Sequence, residues 1–433
     1  MTSRRRWCWM PSGPAGLANN PVAGLQQPAP DYCHHWHRIN HWLARNECFW
    51  RPVPFAEPAP AWRRNYPELA GLLEALSDTD CEHRAENLED FTREISLLVP
   101  GLAHYRELIS VPLLVARESA RAAALAETRA VDMPGRKRLQ AGAFAACLRP
   151  LAGPLLDWCC GKGYLARTLA RQGAQAVLGF ERNPGLVEEG NRLARHYGDA
   201  VTLCRQDVMA PGLGWPASVH GVALHACGDL HRQLIRQGSS GGAPRLSLSP
   251  CCYHLTDNES YTLMSARARQ VADALVLAPS DLRLAVQETV TAPARVRAQA
   301  RRISQWRLGF DALQRHIRKE DVYLPVPSHP PRLNSGNFAG FCTWAAGKKN
   351  LSLPAKVDWS YWQHQGERRL KQVRRHELLR HVFRRPLELW LVLDYAVFLE
   401  EQGYRVRLGT FCDRSLTPRN LLLDAVRSPP GPE

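Results

Sequence analysis

Three carboxylates carry the clearest chemical signal in this chain. Leu155 and Leu156 run as a short apolar strand into Asp157, then Cys159, Cys160, Gly161, Lys162 and Gly163, and then a helical run. Glycines after a strand let backbone approach a ligand closely, and the helix behind them offers N–H groups to an anion. Glu181 follows about 20 residues later, at the end of the next strand-like run, placed to accept from ribose hydroxyls. Asp207 closes the third run, where an adenine amino group would need an acceptor. One such corner could be an ordinary strand–turn–helix junction. Three carboxylates ending three successive strands point instead to a nucleotide-type cofactor.

A second group follows two later strand-like runs: His225, Cys227 and Asp229 in "HACGDL", and Cys251, Cys252, Tyr253 and His254 in "SPCCYHL". Several chemistries compete for it. Tyr253 and His254, with Asp229 and His225 beside them, could form a catalytic acceptor pocket, the ring stacking on a target and an imidazole taking a proton. Cys251 after Pro250 could be a covalent nucleophile. The thiols with a His could bind a metal, or be small buried apolar groups. Adjacent cysteines rarely serve one ion and no C-x-x-C is present, so no metal is expected. The same holds for Cys33, His37 and His41, which recur at helical spacing near the start.

The elements that must position these groups change in texture along the chain. Residues 1–30 are rich in Pro, Gly and Ala and read as disordered. Residues 31–130 show apolar spacing of three and four and read as a helical N-terminal domain. Five strands alternating with helices or loops, within 131–260, imply a parallel, doubly wound α/β sheet. Residues 261–385 read as a basic, mostly helical insertion, with strand signals only at 321–327 and 338–346. Its arginines, chiefly Arg301, Arg302, Arg374 and Arg375, are interleaved with aromatic and leucine residues and are the expected phosphate-binding surface. Residues 386–433 give an amphipathic helix and a closing hairpin.

Bulk properties agree with a multi-unit globular protein. The chain has 433 residues and a formal net charge of +15, which suits a polyanionic partner. It contains 13 cysteines, an odd number that includes two adjacent pairs, a poor disulfide framework. A reducing, cytoplasmic location is expected. No apolar run is long enough to span a bilayer, and no signal peptide is read at the N-terminus.

The motifs resemble those of class I S-adenosylmethionine-dependent methyltransferases, whose first motif is D-x-G-x-G-x-G. More narrowly, "CCGKGYLA", "HACGDL" and "SPCCYHL" are similar to a methyltransferase-domain family marked by G-C-G-K-G, H-x-C-G-D-L and C-C-Y-H. The C-C-x-H signature is also similar to that of a eukaryotic tRNA 2′-O-methyltransferase. The resemblance covers about 130–255 and resumes at 403–425. It implies a Rossmann-like seven-stranded sheet, parallel with an antiparallel closing strand, and S-adenosyl-L-methionine as cofactor. Asp157, Gly161 and Gly163 would then hold its methionine end, Glu181 its ribose and Asp207 its adenine, with Cys159 in the same cofactor-binding loop. The usual strand order would bring the two chemical groups to one rim.

Two departures stand out. Cys159 occupies a position where relatives carry glycine, which predicts an ordinary negative φ with the thiol turned towards Cys227 or Cys251. The M-S-x-K-K-x-H-E stretch of relatives reads here with Leu139 and Gln140 in place of His and Glu. The expected substrate is RNA, at a ribose hydroxyl or base nitrogen. The alternatives are a protein or small-molecule methyltransferase, and a non-catalytic RNA-binding protein of the same fold.

Overall fold

The computed structural model describes residues 30–287 and 294–429, so the expectation of disorder at the start falls almost wholly outside the described residues. Seven strands form one sheet: β1 Leu155–Trp158, β2 Val177–Glu181, β3 Val201–Arg205, β4 His220–Cys227, β5 Arg245–Cys251, β6 Tyr404–Thr410 and β7 Leu421–Arg427. Their order is β3-β2-β1-β4-β5-β7-β6. The first five run parallel, β7 pairs antiparallel to β5, and β6 pairs antiparallel to β7. This is the Rossmann-like seven-stranded sheet, parallel with an antiparallel closing strand, that the resemblance implies. The order reverses between β1 and β4, so the crevice for a ligand lies beyond the carboxyl ends of those strands.

One face of the sheet rests on the helix Arg384–Glu401. Sequence spacing marks this helix as amphipathic, yet Trp390, Leu391, Asp394 and Ala396 are all 0% exposed. The helix Tyr32–Arg45 covers what would have been its wet side: Trp36 packs on Trp390 at 5.4 Å, and Trp390 Nε1 donates to Asn40 Oδ1 at 3.0 Å. The buried Asp394 accepts from Tyr261 Oη at 2.6 Å and from the Met264 and Ser265 amides at 2.9 Å. A buried carboxylate needs such donors.

The N-terminal segment also closes the β6 edge of the sheet. Tyr32 Oη accepts from the Leu408 amide at 3.0 Å and donates to the Val406 carbonyl at 3.3 Å. Thr410 exchanges backbone bonds of 2.8 Å with Pro112 and Leu114. An exposed edge strand invites pairing with other chains, and this packing removes that liability. From Tyr32 onward the chain forms one compact unit.

Within the insertion, the helices Ala294–Arg318 and Trp359–His381 lie side by side. The two expected strand segments are corrected. Residues 338–346 lie in a helix, Phe338–Lys348, capped by Asn337. Phe338, Phe341, Cys342, Ala345 and Ala346 are its buried residues, the three-and-four spacing of a helix rather than the alternation of a strand. Residues 321–327 form no regular element, because Pro325 and Pro327 lack the N–H a ladder needs. Among the described residues, no helix is long and apolar enough to cross a membrane.

Candidate functional site

The loop after β1 is a tight turn with three left-handed residues: Cys159 at φ 59°, Gly161 at 57° and Gly163 at 70°. The Cys159 value overturns the expectation of a negative φ. The turn demands a conformation that glycine adopts freely and that costs other residues ~1–2 kcal/mol. Packing holds the cysteine there. It sits against the main core, and burial pushes its thiol up to about 12, with the charges of Glu181, Asp157 and Cys227 adding to the shift. The loop itself is well formed: the Cys160 amide donates to Phe180 at 3.0 Å and the Gly163 amide to Cys160 at 2.8 Å.

Glu181 is aimed by two backbone donors. Its Oε2 accepts from the Gly161 amide at 3.1 Å and its Oε1 from the Asn183 amide at 2.8 Å. Each oxygen keeps a further lone pair, which suits two neighbouring hydroxyls. A Cβ built on Gly161 would meet nothing within 4 Å, so the loop leaves open space before it. Asp207 is exposed at the end of β3, its Oδ1 accepting from the Met209 amide at 2.9 Å. These features fit a nucleoside-bearing cofactor.

Asp157 stands differently. It is 2% exposed and its Oδ2 accepts from the Ala166 amide at 3.1 Å, so it ties strand to helix instead of facing solvent. Burial raises its pKa to about 7. Lys162 is engaged with Glu189 at 2.7 Å.

The second group gathers at the ends of β4 and β5. His225 lies at φ 65° and Cys252 at φ 49°, so β1, β4 and β5 each end in or beside a left-handed non-glycine residue. Such strain persists only where surrounding structure enforces it. The Asp229 amide donates to the Leu255 carbonyl at 3.1 Å and the Gly228 amide to Cys251 at 3.0 Å. This approach requires Gly228, since a Cβ there would stand 1.9 Å from the Leu255 oxygen. Asp229 also faces Arg232 at 3.7 Å.

His225 Nε2 lies 3.3 Å from Gln140 Oε1, while Gln140 Nε2 donates to Leu416 at 2.8 Å. The amide oxygen therefore faces the ring, which assigns the proton to Nε2 and leaves Nδ1 as acceptor. Burial lowers His225 to about 4. His254 is half-buried, and its Nδ1 is shielded from solvent without a hydrogen-bond partner. Burial and Arg283 lower its pKa, so it too is neutral near pH 7. Tyr253 does not line an acceptor pocket. It is 3% exposed, its hydroxyl 3.5 Å from the Pro250 carbonyl and Glu388. Its neighbour His254 follows the same left-handed turn at Cys252 and stays half-buried.

The sulfurs of Cys227, Cys251 and Cys252 all lie within 4.8 Å of one another. Cys33, His37 and His41 form no comparable cluster among the described residues.

The arginines expected to read phosphate are engaged within the protein. Arg374 bonds to Asp78 at 2.8 Å and Glu82 at 2.7 Å. Arg301 pairs with the same Asp78, and Arg375 bonds to the Leu76 carbonyl. Arg302 lies over the Trp306 ring at 5.3 Å. Arg301, Arg374 and Arg375 join the insertion to the acidic helix Asp78–Glu86.

Sequence reasoning misses a different basic surface. A cavity of about 470 Å³ is lined by Arg384 and Arg385 from the central helix, Arg414 and Arg419 from the β6–β7 turn and Arg106, together with Glu86, Glu89 and Glu388; Arg385 pairs with Glu388 at 2.6 Å, and Arg384 and Arg419 also donate to the Gln287 and Val286 carbonyls. Arg419 also borders β5, its carbonyl accepting from Ser249 Oγ at 3.2 Å. The signal is present in "DRSLTPR", which by itself reads only as a turn.

Residues 146–259 match a family described as a methyltransferase domain. No curated protein matches the chain. Among solved structures, a tRNA (uracil-54, C5)-methyltransferase of Pyrococcus abyssi is 19% identical over 26% of this chain and 29% of its own, with a TM-score of 0.22. The 23S rRNA methyltransferase ErmE is 18% identical over 32% and 47%, at 0.21. The magnesium protoporphyrin IX methyltransferase of Synechocystis PCC 6803 is 14% identical over 76% and 91%, at 0.27. The chain thus spans under a third of the first of these, and at such TM-scores none bears on its substrate. The family match over residues 146–259, the glycine loop and the sheet order agree on a methyltransferase domain of Rossmann-like fold in that part of the chain, a kind of domain whose cofactor is S-adenosylmethionine.

Proposed function

We propose that the protein methylates RNA at a ribose hydroxyl or base nitrogen. The observation that carries this reading is the cavity to which five arginines contribute, one of which, Arg419, is bonded through its carbonyl to Ser249 near the end of β5. Guanidinium groups present several donors in a planar fork suited to phosphate, and the net charge of +15 favours a polyanion.

When bound, S-adenosylmethionine supplies an electrophilic methyl group, so the protein's part is to position the acceptor and manage its proton. Glu181 would hold the ribose hydroxyls and Asp207 the adenine amino group. The loop Cys159–Gly163, held to its helix by Asp157, would carry the methionine end. His254, neutral and with Nδ1 unpartnered, is the group that would take the acceptor's proton. His225 and Asp229 flank the same turn.

Calorimetry with S-adenosylmethionine tests the first half: wild type binds, and Glu181→Ala binds at least tenfold more weakly. RNA affinity measured against salt tests the second half. A steep fall that lessens in Arg419→Ala supports the reading, and a flat response refutes it.

A further inference from the structure

The three-thiol cluster has no part in the methyl-transfer reading, and its construction is unusual. Successive strand residues point to opposite faces, so adjacent cysteines normally diverge. Here two local distortions bring three sulfurs to one side. Cys227 and Cys251 are register partners across β4 and β5, after an irregularity between Leu224 and Cys227 that contains the left-handed His225. Partners in register share a face. Cys252 then turns at φ 49°, which brings its sulfur back beside that of Cys251.

The spacing suits a metal better than a disulfide. Cys227 Sγ and Cys251 Sγ are 3.6 Å apart, and the widest separation in the trio is within 4.8 Å. A tetrahedral ion with metal–sulfur bonds of about 2.3 Å requires sulfurs about 3.8 Å apart, whereas a disulfide requires about 2.05 Å. Soft thiolates select zinc and similar thiophilic ions. We propose that Cys227, Cys251 and Cys252 form a three-thiolate Zn²⁺ site at the joined ends of β4 and β5, with water in the fourth position.

Each S–H proton leaves as its S–Zn bond forms, giving a complex of charge −1. The bound ion would pin the turn that carries His254.

The test uses full-length protein, reduced, stripped by chelator and titrated with Co²⁺ and then Zn²⁺, with neither cofactor nor RNA present. Its outcome is therefore separate from that of the methyl-transfer reading. The expected result is one equivalent of Co²⁺ per chain with a thiolate-to-cobalt charge-transfer band, displaced by zinc. Cys252→Ser should lose the band, and Cys48→Ser, altered at an exposed cysteine, should keep it. Alkylation mapped by peptide mass in the wild type guards against misfolding of the variant: zinc should shield Cys227, Cys251 and Cys252 together. No band, a band unchanged in Cys252→Ser, protection of other cysteines, or a Cys227–Cys251 disulfide in place of the metal would overturn the proposal.

Discussion

Gln140 Oε1 faces His225 Nε2 at 3.3 Å, across 85 residues of sequence. A neutral amide oxygen orients the ring without favouring its protonation, and burial holds His225 at about 4. Gln140→Glu places a carboxylate against the same nitrogen, and an opposite charge at that range raises a histidine pKa by about 1–3. NMR titration of the His225 ring should show the rise. An unmoved titration would mean that the two side chains do not touch.

Asp157 gives a pH dependence of defined sign. Its pKa of about 7 in the folded chain exceeds the unfolded value of about 3.9. The folded state then holds more protons between those values, so this group's stabilising contribution is complete below about pH 4 and declines as pH rises towards 7. A cationic cofactor favours the ionised form. Binding should therefore release protons near and below pH 7, read by calorimetry in buffers of different ionisation enthalpy. Asp157→Asn should abolish both the release and this component of the stability profile.

Cys159 separates strain from packing. Cys159→Gly relieves the left-handed backbone but removes a buried thiol and adds freedom to the unfolded chain, so its stability should stay within about 1 kcal/mol of wild type. Cys159→Val forces a β-branched residue into the same turn and should cost about 1–3 kcal/mol by denaturant unfolding. A stable Val variant would contradict the φ of 59°.

How much of this is legible in the sequence follows a physical rule. The strand ends at Asp157, Glu181 and Asp207 can be read because local alternation and turn chemistry mark them. The left-handed turns at Cys159, His225 and Cys252 cannot, since no side chain there announces a positive φ. The partner of Arg301 lies 223 residues away at Asp78, a separation that composition and charge runs do not resolve. The aromatic content of 338–346 suggests a strand, but the apolar spacing belongs to a helix. Adjacency groups Tyr253 with His254, and the turn between strand and loop sends them to different environments.

The two arginine sets should behave oppositely. Arg374→Ala breaks bonds to Asp78 and Glu82 and should lower the melting temperature while leaving the salt dependence of RNA binding unchanged. Arg414→Ala and Arg419→Ala should each reduce the salt slope by about 0.7–0.9 for every phosphate that the missing guanidinium would neutralise. Equal slopes for all three variants and wild type would remove the cavity from the RNA-binding surface.

Tyr253→Phe should leave transfer activity within about twofold of wild type, because the hydroxyl lies inside the core at 3.5 Å from Glu388, away from any acceptor. His254→Ala should lower the maximal rate by about 10²–10⁴, the usual contribution of a positioned proton acceptor, with cofactor affinity retained.

The most direct measurement is methyl transfer itself. Cofactor labelled in the methyl group is incubated with the protein and a lysate of cells that lack it, and the products are divided between RNase and protease. Label that is destroyed by RNase, survives protease and is absent with Glu181→Ala is the result predicted. Label that survives RNase and is lost to protease, or a wild type that binds no S-adenosylmethionine, would contradict it.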